Sequence, residues 1–379
     1  IAKKLKQKLK IKTIFIPKTK EDEIYYKKNF SDCFDEVYHN NFKINADYLK
    51  HHKKYKDPIK KALEFENKYN ISIFRLFITD RVLGRGFHAS GGVRHPRNRT
   101  QQLYSHKDFL NMAINYISFW ENLFVKENVQ YTINLDTVSH HIAIKNKIKS
   151  YKLYDGRFKT TFSWVNHTRL DPEVSEKDIK KNFNRKKITI DRPQQAYMVV
   201  RKVDTDNLKL LYTIKNIIYN LLQISYGKIK GYEKSRNKYL FDEISYLWRY
   251  RSDYKLYKKK STFKLDKYKN KKFIFFPLLT EPEIAIHGIA DDFFFQLSAI
   301  NLISRDLPAD YILVVKEHVI AFGRRPKDFY KQITDLNNVF LADPNEFGLD
   351  YVKKCKAVAC ITGTAAWEAL VMGVPVISF

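Results

Sequence analysis

One stretch constrains the fold more than any other: AVACITGTAAWEALVMGVPVISF, residues 357–379. AVAC is an apolar run of strand size, flanked on its far side by the turn residues Thr362, Gly363 and Thr364. AAWEALVMG then has the composition of a helix, Gly373 stands where a helix C-cap belongs, and VPVISF reads as a second buried strand. Strand, Gly/Thr turn, helix, strand is a βαβ unit. Its turn delivers backbone N–H groups at a helix N-terminus, which is a natural phosphate site. An ordinary α/β crossover without ligand has the same pattern, so the rest of the chain must decide.

The same rhythm runs upstream. KFIFFPLL, YILVVKEH and VFLAD read as strands, and DDFFFQLSAINLISRD, RPKDFYKQITDL and FGLDYVKKC as helices. Together with the closing unit they make a doubly wound domain of about five parallel strands over residues 271–379, with ligands expected at the strands' C-terminal ends. Residues 1–165 also alternate. IKTIFIP, ISIFRLFIT (Ile71–Thr79) and VQYTINLD read as strands; Asp57 and Pro58 open one helix, and Ser105 with Asp108 opens a long one as a capping-box variant. The expectation is a first, Rossmann-like domain over these residues. Between the two, residues 166–270 change character. Leu208, Leu211, Ile214, Ile217, Ile218, Leu221 and Leu222 recur at helical spacing, a second helical segment spans roughly 238–258, and KKKSTFKLDKYKNKK is a basic connector. This region reads as a helical bridge.

Composition narrows the function classes. Hydrophobic content of 44% and aromatic content of 15% describe a globular chain, and no apolar run approaches the ~20 residues of a membrane-spanning helix. The net charge of +28 points to a polyanionic partner: nucleic acid, anionic lipid or a phosphorylated substrate. Part of the lysine excess also matches a chain rich in Asn, Ile, Tyr and Phe throughout, as from an AT-rich genome. Cys33, Cys355 and Cys360 lack metal spacing, and the last two fall in core runs, which fits a reducing cytoplasm. No Walker motif, zinc spacing, GxSxG elbow or complete GxGxxG occurs, which counts against ATPase, metallohydrolase, serine hydrolase and dinucleotide dehydrogenase readings.

Candidate site residues fall at strand ends. After FFPLL come Thr280, Glu281, Pro282 and Glu283, whose acids suit general-base work or ribose hydroxyls, or simply a solvated loop. After YILVV come Lys316, Glu317 and His318; a cation and an imidazole there can neutralise a phosphate leaving group, although a core histidine is the plainer alternative. Asp343 and Pro344 make a common turn. Glu368 lies one helical turn beyond Thr362–Gly363–Thr364, in reach of a ribose. In the first domain Arg81, Arg85, His88, Arg94, His95 and Arg97 sit on a glycine-rich loop that could cradle an anion or acceptor. Asp136, at a strand end, is a candidate base or nucleophile, or else a helix N-cap.

The series FPLLTEPE, VVKEH, LADP and ACITGTAAWEALVMGVPVISF resembles the capsular-polysaccharide synthesis glycosyltransferases, GT-B enzymes that include β-Kdo transferases and are related to teichoic-acid glycerophosphotransferases. INLDTVSHHIAIKNKIKSYKLYDGR adds a weaker match. One position departs: Val319 follows the histidine where that family usually has proline. The resemblance implies an α/β chain of two Rossmann-like domains in GT-B arrangement. The second would bind the nucleotide-sugar donor through Lys316, Glu317, Thr362, Gly363, Thr364 and Glu368, with Asp136, His318 and Glu281 as the catalytic candidates. A metal-independent transferase is expected, with no metal-binding DxD-like cluster and with Lys, His and a helix dipole to stabilise the leaving group, and with no cofactor beyond a CMP-, CDP- or UDP-linked sugar as substrate. The acceptor would be a surface polysaccharide or lipid-linked glycan. Basic charge would hold the enzyme on the inner face of the cytoplasmic membrane. A glycerophosphotransferase or epimerase of the same fold is the nearest alternative. A nucleic-acid-binding protein, suggested by charge alone and lacking any RNA- or DNA-binding signature, or a non-catalytic scaffold, are the others.

Overall fold

The computed structural model describes residues 2–17, 20–38, 53–78, 105–155, 162–166, 208–229, 240–268, 270–281, 283, 286, 290–293 and 295–379. The chain begins with α1 (Ala2–Leu9), β1 (Ile14–Phe15), α2 (Lys20–Asn29) and β2 (Glu36–Val37), the two short strands pairing in parallel. It continues through α3 (Pro58–Tyr69), α4 (Ile73–Phe77), α5 (His106–Lys126), β3 (Tyr131–Ile133), α6 (Thr137–Lys145), β4 (Lys149–Asp155) and β5 (Phe162–Val165). Local chemistry sets these boundaries. Asp57 accepts a hydrogen bond from Lys60 N at the start of α3, and Asn70 ends that helix in the left-handed region at φ 51°. Ser105 and Asp108 form a reciprocal capping box on α5.

Ile71–Thr79 is not a strand over its described part. Ser72 caps α4 by accepting from Arg75 N, and Glu66 accepts from Ile73 N. Phe77 then packs edge-on against Phe109 and Tyr116 of α5. A β-branched, aromatic run has strand propensity, but a cap plus burial of one helical face outweighs it here. The helices α3 to α6 share one core that includes Phe77, Phe109, Ile114, Ile117, Trp120 and Ile142. Beside it, β4 pairs in parallel with β3 and antiparallel with β5. Among the described residues this part therefore holds helices and two small sheets rather than the large parallel sheet expected of a Rossmann-like first domain.

Two long helices follow, α7 (Leu210–Ile229) and α8 (Leu240–Lys260). The rest is β6 (Lys272–Pro277), α9 (Gln296–Asp306), β7 (Tyr311–Lys316), α10 (Phe329–Thr334), β8 (Val339–Leu341), α11 (Gly348–Lys354), β9 (Ala357–Cys360), α12 (Thr364–Val371) and β10 (Val376–Ser378). All five strands are parallel and lie in the order β10-β9-β6-β7-β8. Alternate residues face opposite ways along each strand. Ile274, Phe276, Leu313, Val315, Leu341 and Ala359 meet residues of α8, α9 and α10 on one side. Phe273, Phe275, Val314 and Val358 meet α11 and α12 on the other. A parallel sheet needs cover on both faces, and its strands are accordingly apolar throughout. The basic connector contributes as well: Phe263 and Leu265 are buried in the second of these clusters, and Phe263 bridges to Ala342.

Cys355 and Cys360 are buried, and burial pushes both thiols up to about 11. Among the described residues no helix is long and apolar enough to cross a membrane.

Candidate functional site

The strand order fixes where a ligand can enter. From β6 the chain moves outward to β7 and β8, then returns across the sheet so that β9 pairs with the other edge of β6 and β10 lies beyond it. The winding direction reverses between β6 and β9, and loops leaving adjacent strands in opposite directions open a crevice at their C-terminal ends. Two sequence-predicted loops meet there: Leu278–Glu281 after β6, and Ile361–Thr364 after β9.

The second loop is built for close approach. Gly363 is the N-cap of α12, at φ 119° and ψ 169°, a region open essentially to glycine alone. A Cβ there would stand 3.0 Å from Leu279 Cδ2, so the two loops touch. No side chain caps α12, leaving its first N–H groups to a ligand or solvent. Thr362 Oγ1 is buried without a hydrogen-bond partner among the described residues. An orphaned hydroxyl beside an uncapped helix N-terminus is chemically suited to an anionic oxygen. At its other end α12 closes as expected, with Gly373 at φ 76° and Val374 N donating to Ala369 O.

Beneath Leu279 lies a buried ionic network. Arg325, 1% exposed, donates from Nε to Glu317 Oε2 at 2.8 Å and from Nη2 to Glu317 Oε1 at 2.8 Å. The same Nη2 donates to Leu279 O at 2.6 Å, and Nη1 lies 3.3 Å from Glu281 Oε2. Gln296 finishes the frame: Leu279 N donates to its Oε1 at 2.7 Å, while its Nε2 donates to Leu279 O and to Glu281 Oε1. Glu317 also accepts from Tyr330 OH at 2.9 Å and from His318 N at 2.6 Å. Burial holds the Tyr330 phenol well above its ordinary 10, so it stays a donor. Burial raises the pKa of Glu281, and the Arg325 charge beside it offsets part of that rise.

The three ionisable residues at the end of β7 separate because a strand alternates. Lys316 is buried and its Nζ donates to Pro344 O at 3.2 Å. Glu317, expected to bind donor, has its acceptor sites taken by Arg325, Tyr330 and its own neighbour, and is part of the frame. His318 alone of the three is exposed, and its Nδ1 accepts from Ile320 N at 3.4 Å to cap the short turn after β7. Glu368 is buried one turn into α12. Asp136 is a helix cap: it accepts from Val138 N at 3.0 Å and Ser139 N at 3.2 Å, and from Tyr116 OH at 2.6 Å. Arg81, Arg85, His88 and Arg94 lie outside the described residues.

Arg325, Gln296 and Leu279 escaped the sequence reading because no local pattern marks them; a lone Arg after GR looks solvated. The expectation of no DxD-like cluster is corrected by the sequence itself, in which Asp204–Thr205–Asp206 is such a triplet; it lies outside the described residues. Among the described residues no three or more His, Cys, Asp or Glu side chains gather as a metal-binding group.

Fold and loops together define the class: a mixed α/β protein with a Rossmann-like parallel sheet whose switch point lies between β6 and β9. No protein-family model matches the chain, and no curated protein matches it. Solved structures that it matches include the S. aureus MnaA-UDP co-structure, at 13% identity and a TM-score of 0.22. That likeness covers 69% of this chain and 60% of the other, so the chain spans less than two thirds of that structure's length.

Proposed function

We propose that this chain is a GT-B glycosyltransferase that takes a sugar from a nucleotide donor and passes it to a surface polysaccharide or lipid-linked acceptor. The observation that carries the nucleotide part is the crevice between β6 and β9, where the buried, unpartnered Thr362 hydroxyl adjoins the uncapped N-terminus of α12. The resemblance of the KEH and ITGTAAWEAL segments to capsule transferases supports the finer reading. In this reading the donor phosphates sit on the N–H groups of Thr364 and Ala365 with Thr362 Oγ1, and Glu368 meets the ribose. The acceptor hydroxyl attacks the anomeric carbon, the bond from that carbon to the donor's phosphate oxygen breaks, and the nucleotide leaves with the bonding electron pair. His318 is the exposed imidazole at the end of β7, and it takes the hydroxyl's proton on Nδ1 by giving up the hydrogen bond that this nitrogen accepts from Ile320 N. Glu281, Glu317 and Arg325 hold the floor rather than touch the sugar, and the helix dipole with Lys316 favours the departing anion without a resident metal.

Thermal-shift titration with CMP, CDP and UDP tests the binding step. At least one should raise the melting temperature of the wild type, and Gly363→Ala should lose that response. Mass-spectrometric transfer assays with the matching sugar donors test the reaction. No stabilisation by any of the three nucleotides would remove the nucleotide reading, and epimerisation of the donor without transfer would replace the transferase with an epimerase.

A further inference from the structure

The helix α7 is inside out for a core element. Its Leu and Ile residues recur at helical spacing, a pattern that ordinarily turns toward a core. Here Leu211 is 82% exposed, Leu222 65% and Ile229 82%, with Ile214 and Ile218 exposed on the same face, while a buried side chain of the helix is Thr213. No described residue covers this face, which runs ~30 Å along a helix of this length. The neighbouring α8 is tied to the start of α7 by Arg251 Nη2, which donates to Leu208 O at 3.1 Å. It exposes Trp248 at 69% and ends in Lys258, Lys259 and Lys260. An apolar helix face beside an exposed tryptophan and a lysine cluster combines the two attractions of an interfacial helix: insertion among acyl chains and charge against anionic headgroups.

We infer that α7 lies flat on an anionic lipid surface, with Leu211, Ile214, Ile218, Leu222 and Ile229 inserted and the exposed Lys258 and Lys259 at the end of α8 on lipid phosphates. Charge selects this occupant over a second copy of the chain. Two molecules of net charge +28 repel, whereas an anionic bilayer attracts each of them. The inference does not depend on the nucleotide crevice, and its test reads a different quantity.

The full chain is sedimented with vesicles of equal parts phosphatidylglycerol and phosphatidylcholine, and with phosphatidylcholine alone. Binding is expected to the anionic vesicles, weakening as salt is raised. The Leu211→Glu/Leu222→Glu variant should bind about a hundredfold more weakly, one factor of ten per leucine withdrawn, with melting temperature and nucleotide response unchanged. Leu211→Gln gives the same readout in milder form should the double variant fail to fold. Equal vesicle binding by wild type and variant, or none by the wild type, overturns the inference. So does a lower melting temperature in Leu211→Gln, which would place the face against other parts of the chain, or a wild-type dimer that the variant dissociates.

Discussion

Replacing Arg325 by Met tests the floor of the crevice most directly. The guanidinium is the cation facing two buried carboxylates: it makes both hydrogen bonds to Glu317 at 2.8 Å and stands 3.3 Å from Glu281. Methionine fills a comparable volume, so the loss is electrostatic rather than a cavity. Removing one partner from a buried ion pair costs ~3–5 kcal/mol because the other charge stays desolvated. For a unit of 150–250 residues each kcal/mol moves the melting temperature by ~2–4 °C, so a fall of roughly 6–20 °C is expected in calorimetry. Lysine keeps the charge but not the fork, so Arg325→Lys should fall between the two. Adding Glu317→Gln to Arg325→Met removes the stranded charge and should recover part of the loss. Nucleotide affinity should also drop, since Leu279 loses the bond from Nη2 at 2.6 Å and Leu279 is what Gly363 rests on. There is a pH signature too. Burial raises Glu281 above its ordinary 4.5, so the folded state holds this proton more tightly and stability declines as pH climbs from 4.5 through the raised folded value. Without Arg325 the folded value rises further and the decline extends to higher pH. A variant melting within about 1 kcal/mol of wild type, or no recovery with Glu317→Gln, would refute the account of the network.

Three further outcomes are expected. Gly363→Ala forces a Cβ to 3.0 Å from Leu279 Cδ2 at φ 119°, and should cost ~1–3 kcal/mol in denaturant titration. Asp136→Ala should lose ~1–2 kcal/mol through the α6 cap while Asp136→Asn keeps most of it; loss of transfer in the Asn variant at unchanged stability would restore Asp136 as a base. His141, lowered from 6.5 to about 4 mainly by burial, contributes stability that is complete above pH 6.5 and is lost as pH falls toward 4. His141→Leu should flatten that limb of the acid melting profile.

The C-terminal sheet was legible in the sequence because its inner strands are covered on both faces, which forces continuous apolar runs such as KFIFFP and YILVVK between turn residues; VPVISF, expected to be buried as well, forms the edge strand β10 with Ile377 and Ser378 exposed. The Gly363 turn was legible for a related reason: the left-handed backbone there admits essentially one residue, so geometry leaves a mark in composition. The caps at Asp57 and Ser105 are equally local, and were read correctly. Ile73–Phe77 went wrong because strand propensity is local while the decision came from Phe109 and Tyr116, far along the chain. The order β10-β9-β6-β7-β8 could not be read at all, since every parallel pairing is long-range and the apolar runs suit several orders alike. That order is what opens the crevice between β6 and β9. The same limit hid the partner of Glu317. Residues 316 to 318 look alike as a cluster, but the pleat sends Lys316 and Glu317 to opposite sides, and only folding brings Arg325 under Leu279. Sequence determined where the strands of the C-terminal sheet and the Gly363 turn lie, because continuous apolar runs and a glycine-only backbone are properties of a few residues. The tertiary structure decided which charges are spent on holding the floor and which face of α7 is left to solvent, because burial is a property of what the rest of the chain brings alongside.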